Sequence, residues 1–327
     1  MTTSATPLPA SPPVSPPVPP ATSPESAPAG AGLDGLISVG QLQALMASST
    51  PPLIVDVRFD LADTAAGERA HAAGHVPGAS YLHLDRDLSG PKQDAFGAFR
   101  GRHPLPEREA FAERLRQLGM TRGRQLVAYD AADGMYAARL WWMLRWLGHA
   151  QVAVLDGGFA AWQQAGGAVS VDAPGTAAGT ASAATAPADP AADFQPAAPL
   201  ETPWSAQELL AGLGRVRLID ARAGERFRGE VEPLDTQAGH IPGATNRFFK
   251  SNLTPDGRFK PAAQLREEFT ALLGPQGADG TVHQCGSGVT ACHNLLAMHR
   301  AGLPGSRLYP GSWSEWSANP RFPLAKG

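Results

Sequence analysis

Cysteine is scarce in this chain, with only Cys285 and Cys292 among 327 residues. Two cysteines seven positions apart, across a loop and a helical turn, suit neither a disulfide framework nor a four-ligand zinc site. Scarce cysteine without such a pattern fits a reducing environment, so the expected location is cytoplasmic.

Basic residues and long apolar runs are also lacking. Charged residues make up 17% of the chain and the formal net charge is −3, so no overall field favours nucleic acid or an anionic membrane. No apolar run reaches the roughly 18 residues of a membrane-spanning helix. We therefore expect neither a nucleic-acid partner nor a membrane partner.

Two segments lack Lys and Arg altogether. Residues 1–32 are rich in Pro, Ala, Ser and Thr. Signal and transit peptides both need positive charge, so neither is predicted, and the composition indicates a disordered, proline-rich extension. Residues 171–203 are dominated by Ala, Pro, Thr and Gly, which predicts a linker between two domains.

The rest of the chain carries one pattern twice. The motif Gly-His-Val-Pro-Gly-Ala at residues 74–79 recurs as Gly-His-Ile-Pro-Gly-Ala at residues 239–244. A buried strand, an amphipathic helix and a Trp-containing element recur in the same order. Four ordered matches indicate a duplicated domain. The predicted domains are residues 33–170 and residues 204–327.

Within each copy, strands alternate with helices. In the first copy, apolar runs at residues 53–58, 125–130 and 152–155 predict buried strands, and the patterns at residues 107–118 and 137–147 predict helices. This alternation predicts an α/β fold in which a parallel sheet is flanked by helices on both faces.

The stretch around Cys285 is the candidate site. An apolar run ends on Cys285, a small-residue loop follows, and residues 291–301 have a helical pattern. Loop amides and the helix N-terminus both favour an anion there, so the thiol is expected to exist partly as thiolate, the nucleophilic form. The first copy has Asp130 at the matching position, so only the second copy can carry thiol chemistry. Cys292 is expected to be a packing residue.

The paired Gly-His-x-Pro-Gly-Ala motifs and the single cysteine loop resemble the rhodanese family. That resemblance implies two tandem rhodanese-like domains, the first non-catalytic and the second catalytic. The loop Cys285-Gly286-Ser287-Gly288-Val289-Thr290 is similar to that of 3-mercaptopyruvate sulfurtransferases, whereas thiosulfate sulfurtransferases typically have Arg and Lys at the positions of Gly286 and Ser287.

The resemblance also implies site residues. Arg226, in an Arg-Phe-x-Gly context, is expected to bind the substrate carboxylate, and residues 286–290 to hold the sulfur anion. Ser287 is expected to act with His75 and Asp63. Many of these enzymes have a second arginine after Glu-Pro, but here Leu234 follows Pro233, so Arg228 could substitute only if it points inward.

The implied reaction is ping-pong sulfur transfer. Cys285 takes sulfur from 3-mercaptopyruvate, releases pyruvate, and passes the sulfur from a persulfide to a thiol, thioredoxin or cyanide. No cofactor or metal is implied. A thiosulfate sulfurtransferase, a cysteine phosphatase and a non-catalytic sulfur-relay or scaffold module are the alternatives. The phosphatase lacks support because Ala291, not arginine, closes the loop.

Overall fold

The computed structural model describes residues 1, 33, 35–171 and 194–327. The predicted extension at residues 1–32 and most of the predicted linker lie outside the described residues. The described residues from 33 onward belong to one compact unit. No helix within the described residues is long and apolar enough to cross a membrane.

The first sheet has five parallel strands in the order β1-β5-β4-β2-β3. Its strands are β1 (Gly35–Ile37), β2 (Leu53–Asp56), β3 (Ser80–Tyr81), β4 (Leu126–Tyr129) and β5 (Val152–Leu155). The helices of this half are α1 (Val39–Met46), α2 (Ala66–Ala73), α3 (Arg108–Gln117), α4 (Met135–Trp146) and α5 (Gly158–Gln164). A capping box between Ser38 and Gln41 begins α1.

The second sheet has four parallel strands in the order β7-β6-β8-β9. Its strands are β6 (Arg217–Asp220), β7 (Ala244–Asn246), β8 (Thr281–Gln284) and β9 (Arg307–Leu308). The helices are α6 (Ala206–Gly212), α7 (Gly224–Arg228), α8 (Ala262–Leu273), α9 (Thr290–Arg300) and α10 (Ser312–Ala318). The strand before Cys285 therefore lies inside the sheet, between β6 and β9.

Both faces of each sheet are covered. In β2, Leu53 and Val55 belong to one core cluster, and Ile54 belongs to a second cluster on the opposite face. Strands buried on both faces have continuous apolar sequences, which is why these runs do not alternate with polar residues. The prediction of an α/β fold with helices on both faces of parallel sheets is confirmed.

The two halves share a core where α4 packs against α9. The Trp141 and His299 rings have centroids 5.4 Å apart across this contact. Trp142 is fully buried and Trp146 nearly so, and both tryptophans belong to this core. This packing brings loops of the first half to the carboxyl end of β8.

The carboxyl-terminal part of the predicted linker packs against the first half. Phe194 is buried, and the Ala197 N–H donates to the Leu147 carbonyl at 2.8 Å. The Leu200 N–H donates to the Arg145 carbonyl at 2.9 Å. These contacts hold residues 194–200 against the end of α4.

Candidate active site

Cys285 directly follows β8 and is held by the start of α10. Its N–H donates to Ser312 Oγ at 3.1 Å, and its carbonyl accepts from the Trp313 N–H at 3.0 Å. The residue is only 2% exposed, yet it lines a pocket between the two halves. A buried strand end and two backbone hydrogen bonds thus fix the nucleophile beside a cavity.

The loop after Cys285 offers a set of free amides. Among the residues that the structure describes, none accepts a hydrogen bond from the backbone N–H groups of residues 286–290. The loop then enters α9 at Thr290, whose helix dipole places positive partial charge at the same end. Unpaired amides at a helix N-terminus form a site for an anion.

The matching loop of the first half, after β4, shows which kind of group binds to such backbone amides. Asp130 follows β4 and is completely buried. Its Oδ1 accepts from the N–H groups of Ala132 and Gly134, and its Oδ2 from those of Tyr136 and Ala137, all at 2.8 to 2.9 Å. Burial raises the pKa of the Asp130 carboxyl, and these N–H groups oppose that rise. The first copy therefore fills its own anion site with a side chain.

Ser287 meets a histidine that the sequence did not single out. Its Oγ lies 2.8 Å from Nδ1 of His103, and His103 Nε2 lies 3.2 Å from Oδ1 of Asp85. Burial lowers the pKa of His103 below its usual value, although Asp85 acts in the opposite direction. The hydrogen bond from His103 lowers the pKa of the Asp85 carboxyl. We therefore assign a neutral imidazole with its proton on Nε2, so that Nδ1 accepts from the Ser287 hydroxyl.

The expected partnership of Ser287 with His75 and Asp63 is wrong. His75 is buried, and its Nδ1 donates to the His71 carbonyl at 2.8 Å while its ring stacks on the His71 ring. His240 of the second motif makes the same arrangement with the carbonyl and ring of Phe227. Both histidines therefore stabilise a turn. Asp63 is half-exposed and pairs with Arg69.

The pocket at Cys285 has a volume of about 180 Å³ and draws on both halves. Its walls combine apolar side chains with arginines. The lining residues are Leu61, Leu84, Arg102, His103, Met135, Tyr136, Ala221, Arg222, Ala223, Arg226, Leu234, Phe248, Phe249, Cys285, Gly286, Ser287, Val289 and Thr290. The arginines in this lining place positive charge at a pocket of small-molecule size.

Two arginines reach this pocket from opposite sides. Arg226 Nη2 donates to Glu232 Oε1 at 2.6 Å and lies 3.4 Å from Oδ2 of Asp235. Arg102, from the first half, donates through Nη1 to Oδ1 of the same Asp235. Arg226 therefore lines the pocket together with Arg102, and its role in binding a substrate carboxylate stays a prediction.

Arg228 does not take the place of the absent second arginine. Its side chain is 49% exposed and pairs with Glu230 outside the pocket. Leu234, which occupies the expected arginine position, lines the pocket with 44% of its surface exposed. Any second cation at this pocket must therefore come from elsewhere in the chain.

Arg139 of α4 joins the first half to the nucleophile loop. It is completely buried and donates to the carbonyls of His103 at 3.0 Å and Gly288 at 3.3 Å. The Cys292 Sγ donates to the same Gly288 carbonyl at 3.3 Å, and burial raises the pKa of its thiol to about 12. Cys292 is therefore a neutral packing residue, as expected, and Arg139 supports the loop.

Sequence reasoning missed Asp85, Arg102, His103 and Arg139, yet a signal was available. Both halves contain a short hairpin contact, Gln93 with Phe99 and Leu253 with Phe259. The positions three and four residues after each hairpin hold Arg102 and His103 in the first half but two alanines in the second. A polar pair present in only one copy indicates a role that the repeated fold does not need.

No group of three His, Cys, Asp or Glu side chains within the described residues is placed to hold a metal ion.

Known proteins resemble this chain in sequence. The rhodanese-like domain model matches residues 38–165 and 205–319. A Pseudomonas aeruginosa protein named as a 3-mercaptopyruvate sulfurtransferase is 45% identical over 295 residues, covering 89% of this chain and 98% of that protein. A Mycobacterium tuberculosis protein named thiosulfate sulfurtransferase SseB is 39% identical, covering 89% of this chain and 97% of its own length.

A solved structure agrees with these sequence matches. The 3-mercaptopyruvate sulfurtransferase from Leishmania major superposes with a TM-score of 0.69 at 30% identity, over 87% of this chain and 75% of that one. The matches extend through both halves and through the loop that carries Cys285. The chain therefore belongs to the rhodanese-like domain family and contains two copies of that domain.

Proposed function

We propose that this protein is a sulfurtransferase that takes sulfur from 3-mercaptopyruvate and carries it as a persulfide on Cys285. The observation that carries the proposal is the loop of residues 286–290 that follows Cys285. The backbone N–H groups of residues 286–290, which follow Cys285, have no acceptor among the described residues. In the first copy, the Asp130 carboxylate accepts hydrogen bonds from the backbone N–H groups of the matching loop. A loop with unpaired backbone amides stabilises a terminal persulfide anion.

The donor class follows from the pocket. Gly286 and Ser287 place no cation on the loop, so the loop itself offers no pair of charges to a compact dianion. A 2-oxo acid needs one cation for its carboxylate and a hydrogen-bond donor for its ketone. Arg226 supplies the cation, and the backbone N–H groups of residues 286–290, which have no acceptor among the described residues, supply the hydrogen-bond donor. The names of the Pseudomonas aeruginosa and Leishmania major relatives support the same donor.

The first half-reaction is a displacement at sulfur. The Cys285 thiolate attacks the donor sulfur, an S–S bond forms, and the C–S bond of the donor breaks. The electron pair of that bond passes into the carbonyl, which gives the enolate of pyruvate. Protonation of the enolate carbon then gives pyruvate and leaves the persulfide on Cys285.

Ser287, His103 and Asp85 form a relay that transfers protons near the substrate carbonyl. The Ser287 hydroxyl donates to His103, and its oxygen can accept a proton from the incoming thiol of the donor as His103 takes the serine proton. Asp85 stabilises the imidazolium that results. The relay then returns the proton to the enolate, so that the enzyme ends this step in its original protonation state.

The second half-reaction needs a thiophilic acceptor. A thiol, thioredoxin or cyanide attacks the outer sulfur of the persulfide and restores the Cys285 thiolate. Because the cycle requires a free thiol, we propose a reducing compartment such as the cytoplasm, and both cysteines are free in this structure.

Thiosulfate is the second candidate donor. The Mycobacterium tuberculosis relative carries that name, and three arginines, Arg102, Arg222 and Arg226, line the pocket. The test compares kcat/KM for 3-mercaptopyruvate and thiosulfate, with Cys285→Ser as the blank. We expect mercaptopyruvate to be preferred by about tenfold or more, and a mass increase of one sulfur atom on Cys285 after donor alone.

The outcomes separate the alternatives. A preference for thiosulfate of about tenfold would overturn the donor assignment but keep the persulfide. Iodoacetamide labelling of Cys285 near neutral pH at the rate of an ordinary free thiol, with no turnover of either donor, would favour a sulfur-relay or scaffold module.

A further inference from the structure

The pocket lacks a second cation where the sequence pattern of related enzymes has one. Leu234 stands at that position, and Gly286 has no side chain to contribute. Arg102 comes from the first half, yet it reaches the space beside Gly286. A Cβ atom on Gly286 would lie 2.8 Å from Arg102 Nη2 and 3.5 Å from Arg226 Nη1. Both guanidinium groups therefore converge on the residue that follows the nucleophile.

We propose that Arg102 is a specificity-determining residue that binds the anionic end of the sulfur donor together with Arg226. The identity of that donor rests on the proposed function, but the anion-binding role does not. Specificity for an anionic donor is then built from both halves of the chain, and the first domain is a working part of the site.

The hydrogen-bond pattern leaves both arginines with free donors. Asp235 accepts from Nη1 of Arg102 through Oδ1 and lies within reach of Nη2 of Arg226 through Oδ2. Within the described residues, Arg102 Nη2 and Arg226 Nη1 have no acceptor, and these are the two atoms nearest the Gly286 position. The carboxylate of the substrate can accept one hydrogen bond from each arginine, which gives two charge-assisted hydrogen bonds.

The acidic partners of the two arginines are more buried than the arginines themselves. The side chains of Arg102 and Arg226 are 19% and 18% exposed, whereas those of Asp235 and Glu232 are 4% and 3% exposed. The carboxylates thus hold the guanidinium groups from the protein side, and both arginines line the pocket. An ion pair that served only to join the domains would not need a free nitrogen beside Gly286.

The test measures anion binding without requiring turnover. Iodoacetate and iodoacetamide alkylate a thiolate at the same carbon with loss of iodide, but only iodoacetate carries a carboxylate. We expect the ratio of their rates at Cys285 to fall about 10- to 100-fold in Arg102→Gln, the range for one charge-assisted hydrogen bond. Cys292 does not interfere because it is completely buried and burial raises its thiol pKa to about 12.

Arg116→Gln is the matched control. Arg116 belongs to the same half, its side chain is 18% exposed, and it is paired with Glu113, but it does not line the pocket. Its rate ratio should equal that of the wild type. In the double variant Arg102→Gln/Leu234→Arg, a cation returns to the pocket wall from the other half, so the iodoacetate preference should recover.

The results discriminate clearly. An unchanged rate ratio in Arg102→Gln, or an equal fall of both alkylation rates, would overturn the proposal, because Arg102 would then be only an ion-pair partner of Asp235. Loss of the ratio without recovery in the double variant would also overturn it, since released Asp235 would be the cause. If the wild type turns over no sulfur donor, the proposed function fails, but the alkylation ratio still decides this inference.

Discussion

Replacing Asp85 by asparagine tests the proton relay most directly. Asp85→Asn keeps the shape of the side chain and removes its charge. When His103 accepts the Ser287 proton, it becomes a cation 3.2 Å from Asp85, and Coulomb's law with an effective dielectric of about 20 gives about 5 kcal/mol. The Asp85 side chain is 30% exposed, so solvent screening reduces this to about 2–3 kcal/mol.

That free energy converts to a loss of roughly 30- to 160-fold in kcat for pyruvate release. KM should change little because Asp85 does not line the pocket. The assay is single-turnover pyruvate formation from 3-mercaptopyruvate. Asp87→Asn is the control, because Asp87 lies two residues away and pairs with Arg114 instead. A kcat for Asp85→Asn within about twofold of wild type, or the same loss in Asp87→Asn, would refute the relay.

The pH profile adds a second readout of the same variant. Burial lowers the pKa of His103 below its ordinary value of 6.5, so the wild-type kcat should stay level below pH 6.5 before it falls. Asp85 raises that pKa in the wild type, so its removal should move the acid limb to still lower pH. A limb that moves to higher pH would contradict the assignment of a neutral imidazole.

Two further predictions concern residues outside the relay. His75→Asn should lower the free energy of unfolding by about 1–3 kcal/mol through the buried contact with His71 and leave kcat/KM unchanged, whereas loss of activity in the folded variant would restore His75 to the site. Burial lowers the pKa of His283 to about 3 from 6.5, so the unfolded chain takes up this proton first as pH falls. His283→Leu should therefore remove about 3 kcal/mol of the stability loss between neutral pH and about pH 4.5, measured by urea unfolding, and an unchanged slope would argue against a buried neutral imidazole.

Local sequence patterns carry much of this architecture. The observed strands β2, β4 and β5 and the helices α3 and α4 lie within about two residues of the predicted ranges. Burial on both faces makes those strands uniformly apolar, and helix packing gives a regular spacing of apolar residues, so each element is visible in its own segment. The repeat made the match of Asp130 to Cys285 visible as well.

The partners of Ser287 could not be found in this way. His103 lies 184 positions from Ser287, and Asp85 lies in a loop with no periodic pattern. The prediction of His75 and Asp63 relied on a motif that both copies share, and the structure assigns that motif to turn formation in both. A residue kept for the fold is difficult to separate from one kept for chemistry in a single sequence.

The sequence by itself determined the duplicated α/β fold, and it located the proposed nucleophile Cys285 and the loop that follows it, because these depend on contacts within short segments. Only the tertiary structure decided which side chains surround the nucleophile. The packing of α4 against α9 brings Arg102, His103 and Arg139 from the first half to the second-half loop. Such long-range contacts arise from the burial of whole helix faces, which no local pattern of residues records.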